Sequence, residues 1–420
     1  MKKIISFLLV FGCCIAVWAD FQVIGMTENN KMFFKSGEEA VFIFQIRKDG
    51  KEHDGFLKVK VAGDDGNISE KIYPVSAGKP LKINAGLKQP GFIMTEAVLV
   101  NEAGKEIRTA DAAKKRIAFG LGCGFDAEKL RQGKAEPADY RKFWERARQE
   151  LAAVPMKVLE KKLIHSTQYC NIYDIKIAAP GKRPASGYMT VPKDAAPKSM
   201  VVRFYFDGYG VNRIEPIETR YSIAFVINAH GIENGKDNAY YRELRRGELK
   251  NYAFKASENN SPDTCYFKNM ILRDLRAVEY GMSLPEWNGK ELEVNGGSQG
   301  GFQAMAMAAL VPQVTKCTIG VPWMCDAGGV LVKRVRGWRP NLLPGINYYD
   351  TVNFARYVKC PVVISAGLSD WTCPPSGVMV LYNNLQGEKE LKFLQGLNHG
   401  YYVGFKRAEA PVFKFSSGKK

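Results

Sequence analysis

Ser298 stands in Gly296-Gly297-Ser298-Gln299-Gly300-Gly301, a G-x-S-x-G pattern that leads from the apolar stretch Leu292–Asn295 into an Ala- and Met-rich segment. A serine on a sharp strand-to-helix turn presents its hydroxyl as a nucleophile, and the turn is tight enough that its neighbours must lack bulk. Such a serine needs a base, and the chain has only four histidines, at positions 53, 165, 230 and 399. The architecture that uses this elbow runs nucleophile, acid, base along the chain. Only His399, in Gly396-Leu397-Asn398-His399-Gly400, follows Ser298; His230 also sits at an expected strand end but precedes it. The acid must orient the imidazole and stabilise its protonated form. Asp370 closes the apolar run Val363–Ala366 with Gly367-Leu368-Ser369, and Asp326 after Val321-Pro322-Trp323 is its rival. Asp370 is preferred because it follows the last buried strand before the one carrying His399.

An acyl-transfer site also needs backbone N–H groups aimed at the developing oxyanion. Gln299, at the start of the helix, supplies one. Tyr209, in the glycine-flanked loop Asp207-Gly208-Tyr209-Gly210, is the candidate for the other. Trp323 and Trp371 fall at strand ends around Ser298 and are the expected substrate-binding walls of a pocket sized for a short acyl group. Metal chemistry finds no support in the pattern: the histidines do not pair at ligand spacing, and neither HExxH nor CxxC…CxxC occurs. A serine triad requires no cofactor, and none is expected. The nine cysteines are irregularly spaced, which is not a disulfide framework, and Cys317 and Cys360 lie in or beside apolar runs that read as core.

These residues must be held by a large fold. The chain has 420 residues, 46% hydrophobic and 11% aromatic, enough for two domains with real cores and too apolar for a disordered or fibrous chain. Lys2 and Lys3, the apolar run Ile4–Val17 and the small Ala19 read as an export signal over residues 1–19, with a lipoprotein site at Cys13 as the lesser alternative; the run is too short for a membrane span. The protein is therefore expected to be periplasmic or secreted. From 20 to 122, short β-like runs such as Ala40–Ile46, Phe56–Val61, Ile68–Val75, Gly91–Val100 and Arg116–Leu121 alternate with turns, as in a small immunoglobulin-like sandwich. Residues 123–160 read as a linker and an amphipathic helix whose Tyr140, Phe143, Trp144, Ala147 and Leu151 share one face. From 161 to 420, continuous apolar runs (Met200–Phe206, Ile223–Asn228, Thr315–Val321, Pro361–Ala366) alternate with helical stretches, the pattern of an α/β fold with a mainly parallel sheet covered on both faces. In such sheets reactive residues sit at the carboxyl ends of strands, where every candidate falls. The net charge of +17 can attract nucleic acid, anionic lipid or acidic polysaccharide. The basic residues are scattered, however, and no nucleic-acid motif accompanies them, so a solvated cationic exterior is the simpler reading.

With these residues in place the chain resembles the acetyl xylan esterase/cephalosporin C deacetylase family, carbohydrate esterase family seven of the α/β-hydrolases, over about residues 123 to 410. The resemblance rests on Gly296–Gly301, on Gly367-Leu368-Ser369-Asp370-Trp371-Thr372-Cys373-Pro374-Pro375-Ser376, on Asn398-His399-Gly400-Tyr401, on Tyr266-Phe267 followed by Arg273–Ala277, and on Phe143-Trp144-Glu145. It implies triad roles for Ser298, Asp370 and His399, oxyanion roles for Tyr209 and Gln299, and an acetylated oligo- or polysaccharide as substrate. It also implies a homo-oligomer, since family members form hexamers with active sites facing an interior chamber; the added sandwich bears against that assembly. The chain departs from the family in having Asp207 where a histidine is usual and Asn228-Ala229-His230-Gly231 where D-x-R-G is usual. A prolyl-oligopeptidase-like peptidase, which uses the same triad, and a glycan-binding protein with a vestigial hydrolase domain are the alternative functions. For the sandwich, glycan placement or subunit assembly stands against a passive spacer, and its removal is expected to leave small-ester turnover nearly intact if it places glycan.

Overall fold

The structure, a computed structural model, describes residues 21–400, 402–405 and 407–417; the expected leader over 1–19 lies outside them. Two sheets come first. One contains Phe21–Thr27, Ala40–Lys48, Lys51–Glu52 and Leu81–Ala85, the other Phe33–Phe34, Ala118–Phe125, Gly91–Val100, Gly55–Gly63 and Ile68–Val75. Period-2 alternation sets their facing surfaces: Phe42, Phe44 and Ile46 from the first sheet meet Leu57, Val59, Leu99 and Leu121 from the second in one buried core. This is the sandwich expected from the turn-separated runs.

Its end is not where the glycine-rich sequence placed it. The strand Ala118–Phe125 runs through Gly122 and is buried along its whole length, as is nearly all of Gly91–Val100. A strand buried on both faces needs a second cover, and the following domain provides it. Phe92 belongs to the core of that domain, with Phe393 at 5.6 Å between ring centroids.

The second domain is built on a ten-stranded sheet. Six strands run parallel in the order Ile223–Asn228, Met200–Phe206, Trp287–Gly297, Lys316–Gly320, Val362–Gly367, Lys389–Leu394. Antiparallel strands flank them: Val158–Ser166, Cys170–Ile177 and Ala185–Pro192 on one edge, Val412–Ser417 on the other. Helices cover it, among them Tyr140–Ala152, Tyr266–Ser283, Gln299–Leu310 and Pro375–Asn384. This is the α/β-hydrolase arrangement. The helix Tyr140–Ala152 buries the five residues that its spacing put on one face. The edge strands Val158–Ser166 and Val412–Ser417 carry no buried stripe, so their sequences hold no periodicity to read. The seven cysteines of the described residues are buried and unpaired, Cys317 and Cys360 included. No helix among the described residues is long and apolar enough to cross a membrane.

Candidate active site

Ser298 sits between the strand Trp287–Gly297 and the helix Gln299–Leu310 with φ 55° and ψ −118°, a backbone conformation in which a side chain is strained. The elbow forces close approaches: a Cβ on Gly300 would lie 2.0 Å from the Phe206 carbonyl oxygen. The elbow is also tied to its neighbour strand, since the Ser298 N–H donates to the Gly320 carbonyl at 2.9 Å. The result is a fixed hydroxyl at the carboxyl edge of the sheet.

His399 and Asp370 converge on it. The Ser298 hydroxyl lies 2.9 Å from His399 Nε2, and His399 Nδ1 lies 3.0 Å from Asp370 Oδ2. The other Asp370 oxygen accepts the N–H groups of Thr372 and Cys373, both at 2.8 Å. Asp370 is fully buried while His399 is partly open, which suits an acid that orients and a base that meets substrate. The loops carrying them are joined, for the Ser369 N–H and hydroxyl both donate to the Leu397 carbonyl, at 3.2 and 2.9 Å. Cys373 adds a buried thiol, and Asp370, Cys373 and His399 offer three ligand atoms within 4.8 Å of one another. A cation held there would compete for the imidazole that the serine and aspartate already share.

The rivals are engaged elsewhere. Asp326 pairs with Arg334 and accepts the Gly133 N–H at 2.8 Å. His230 lies 3.0 Å through Nε2 from the Gly210 carbonyl and 2.6 Å through Nδ1 from the Tyr266 hydroxyl. A carbonyl only accepts, so Nε2 carries the proton and Nδ1 accepts from Tyr266. Burial pushes the His230 pKa down to about 3, which keeps this ring neutral and fixes its role as a prop for the oxyanion loop.

That loop is further clamped by Tyr252, a residue the sequence did not single out. Its hydroxyl accepts the Gly210 N–H at 2.8 Å and donates to Gln299 Oε1 at 3.0 Å, while its ring stacks on Tyr209 at 4.3 Å. Tyr209 and Gln299, the two expected oxyanion donors, are thus bridged by one side chain. Gln299 opens its helix, where the first N–H groups have no partner within the helix and the positive end of the dipole faces an anion.

The two expected substrate tryptophans are placed differently from the expectation. Trp323 is 1% exposed, its N–H donates to the Ser298 carbonyl at 3.0 Å, and its indole N–H donates to the Trp338 carbonyl at 2.6 Å. Trp338 stacks on it at 5.5 Å, meets Tyr209 edge-on at 4.6 Å, and is 44% exposed. Trp338 is therefore the accessible member of the aromatic wall, and Trp323 is its buried support. Trp371 lies instead in a cleft between the sandwich and the segment that carries Trp338. Trp338 sits in a basic stretch without strand or helix periodicity, so no local signal marked it.

The family model for acetyl xylan esterases matches residues 126–418. The acetyl esterase Axe7A of Xylanibacter ruminicola is 30% identical over 284 residues, which is 64% of this chain and 64% of that protein. An acetyl xylan esterase from Paenibacillus sp. R4 superposes with a TM-score of 0.55 at 23% identity, covering 65% of this chain and 93% of that one. Acetyl xylan esterase 1 from Thermoanaerobacterium sp. JW/SL YS485 gives 0.51 at 21% identity, with 66% and 94% covered. At these identities the two structures share the fold of the second domain, while the sandwich strands before residue 126 lie ahead of the matched segment.

Proposed function

Because the chain belongs to the acetyl xylan esterase family, we propose that it is a serine esterase removing acetyl groups from the hydroxyls of acetylated carbohydrates, xylan or xylo-oligosaccharides among them. One observation carries this reading: the unbroken chain of hydrogen bonds from Ser298 through His399 to buried Asp370. In the proposed cycle the Ser298 oxygen attacks the acetyl carbonyl as His399 Nε2 takes its proton, and the oxyanion accepts the N–H groups of Tyr209 and Gln299. Collapse breaks the ester bond, His399 returns the proton to the leaving sugar oxygen, and the acetyl group remains esterified to Ser298. Water, deprotonated by His399, then releases acetate and restores the serine.

The test is mass spectrometry of enzyme quenched during turnover of an aryl acetate, together with acetate release from acetylated xylan. An acetyl adduct on the peptide bearing Ser298, absent in Ser298→Ala, is expected. Cleavage of a proline anilide with no acetate released from any ester would instead establish a peptidase. Export directed by residues 1–19 is part of the same proposal, and supports it by placing the enzyme where polysaccharide is met. Fractionation of cells expressing the full chain, with N-terminal sequencing, tests it; intact protein confined to the cytoplasm would end it.

A further inference from the structure

A cleft of about 520 Å³ opens between the second sheet of the sandwich and the loops that build the active site, well within the roughly 300–1,000 Å³ range of small-molecule sites. Its floor is the outward face of Gly55–Gly63, where alternation turns Leu57 and Val59 into the sandwich core and leaves Lys58 and Lys60 outside. Across the sheet Lys60 is in register with Glu70 on one side and Glu96 on the other, and Glu96 in turn with Gly120. The absent side chain at Gly120 is what lets Ser369, next to the triad acid, lie against this face: a Cβ there would be 2.8 Å from that of Ser369. Trp371, one residue beyond Asp370, forms part of the wall, and Arg336 and Gly337, just before Trp338, form another part.

The charges in this cleft are unequally satisfied. Arg116 is paired twice, with Glu96 at 2.9 Å and Glu106 at 3.1 Å, and Lys58 lies 3.9 Å from Glu70. Lys60 and Arg336 pair with no carboxylate among the described residues. The Lys60 ammonium lies 4.5 Å from the centre of the Trp371 ring, and Arg336 donates to the Arg339 carbonyl and to Asn341. Lys58, Lys60, Arg116 and Arg336 thus face two carboxylates, Glu70 and Glu96, in this concave site, and the surplus of positive charge beside an indole suits an anionic group on a body with an apolar face. A sugar carboxylate has that chemistry: the carboxylate meets the cations while the ring packs on the aromatic.

We propose that this cleft binds a uronic acid borne by the glycan whose acetyl group is removed at Ser298, so that the sandwich selects acidic polymer for the site beside it. The proposal rests on the deacetylase reading given above, and the experiment separates the two. Inhibition of aryl-acetate turnover by acetyl-free xylo-oligosaccharides carrying one glucuronic acid is compared with inhibition by neutral oligosaccharides of equal length, and direct binding of both is measured by calorimetry. The acidic oligosaccharide is expected to bind about tenfold more tightly at low salt. That advantage should shrink as ionic strength rises above about 0.15 M, where exposed charges are screened within about 8 Å. It should also vanish in the double variant Lys60→Met, Arg336→Met, whereas Lys162→Met, on the far edge strand, should keep it. Equal binding of acidic and neutral oligosaccharides, or a preference that survives the double variant, overturns the proposal. Failure to release acetate from any carbohydrate would overturn the deacetylase reading alone, because calorimetry still reads the cleft.

Discussion

Asp64 Oδ1, in a turn of the sandwich, accepts the backbone N–H of Val335 at 3.1 Å, three residues before the exposed indole of Trp338. The same oxygen accepts the Ser376 hydroxyl at 3.3 Å, and Oδ2 accepts the Phe92 N–H at 2.8 Å. A carboxylate of the first domain thereby fastens the segment that builds the aromatic wall of the second. Asn at this position cannot accept through both atoms, so Asp64→Asn leaves a buried N–H facing an amide donor, at a cost of about 1–3 kcal/mol. Denaturant melts should show that loss, and KM for aryl acetate should rise as the Trp338 segment loosens. An unchanged midpoint and KM would mean that the segment is held by other contacts.

The sandwich cannot be a passive spacer if its strand supports the triad loops. Gln395 brackets Gly122, accepting its N–H and donating to its carbonyl, both at 2.9 Å, and a Cβ on Gly122 would lie 2.0 Å from the Leu368 carbonyl oxygen. Leu368 is two residues from Asp370, and Gln395 four from His399. Removal of residues 21–125 is therefore expected to give insoluble or inactive protein, contrary to the expectation that small-ester turnover survives. Gly122→Val should lower turnover sharply while far-UV circular dichroism stays native. A soluble 126–420 fragment with full aryl-acetate activity would refute this.

For the triad, Ser298→Ala should reduce aryl-acetate turnover by roughly 10⁴–10⁶-fold with an unchanged melting temperature, because such residues act as a unit. Asp370→Ala should cost less than His399→Ala, since Asp370 orients the ring and moves no proton itself. Steady-state rates of the three purified variants decide the order.

Acyl preference should follow Trp338. With Trp338 against Tyr209 and the oxyanion loop, acetyl esters are expected to react much faster than butyryl esters, and Trp338→Ala should narrow that gap. Favourable contact with extra methylenes contributes only about 1–3 kcal/mol each, so the preference must come from steric exclusion. Equal wild-type rates on acetate and octanoate would refute a small pocket.

Part of the fall in stability with rising pH should come from Asp274, as part should from Asp350 and Asp64, whose pKa values burial also raises. Asp274 is fully buried, accepts only from Gln303 at 2.8 Å, and burial pushes its pKa from 3.8 up to about 7. A pKa higher in the folded than in the unfolded chain stabilises below the unfolded value and loses that contribution as pH rises through the folded one. Its share of stability is therefore present near pH 4 and lost by about pH 8. Asp274→Asn, neutral throughout, should flatten the decline between those limits in melts across pH, and a slope identical to wild type would assign it to other groups.

Several features of this protein are local and were legible in the sequence. The buried strand Ile223–Asn228 is a continuous apolar run because both faces are covered, and the helix Tyr140–Ala152 shows its inner face at 3.6-residue spacing. The elbow at Ser298 is equally local, since its strain is relieved by glycines one or two residues away. Chain order then singled out His399 and favoured Asp370; the fold brings His399 to the serine across 101 residues and Asp370 to His399 across 29. What the tertiary structure alone decided involves partners that share no spacing. Tyr252 clamps Gln299 from 47 residues away, Asp64 fastens Val335 from 271, and Gln395 brackets Gly122 from 273. Gly122 read as the end of the sandwich because a sequence records the missing side chain and not the backbone that fills its place. Packing supplies that second fact, and with it the sandwich becomes part of the wall behind the active site.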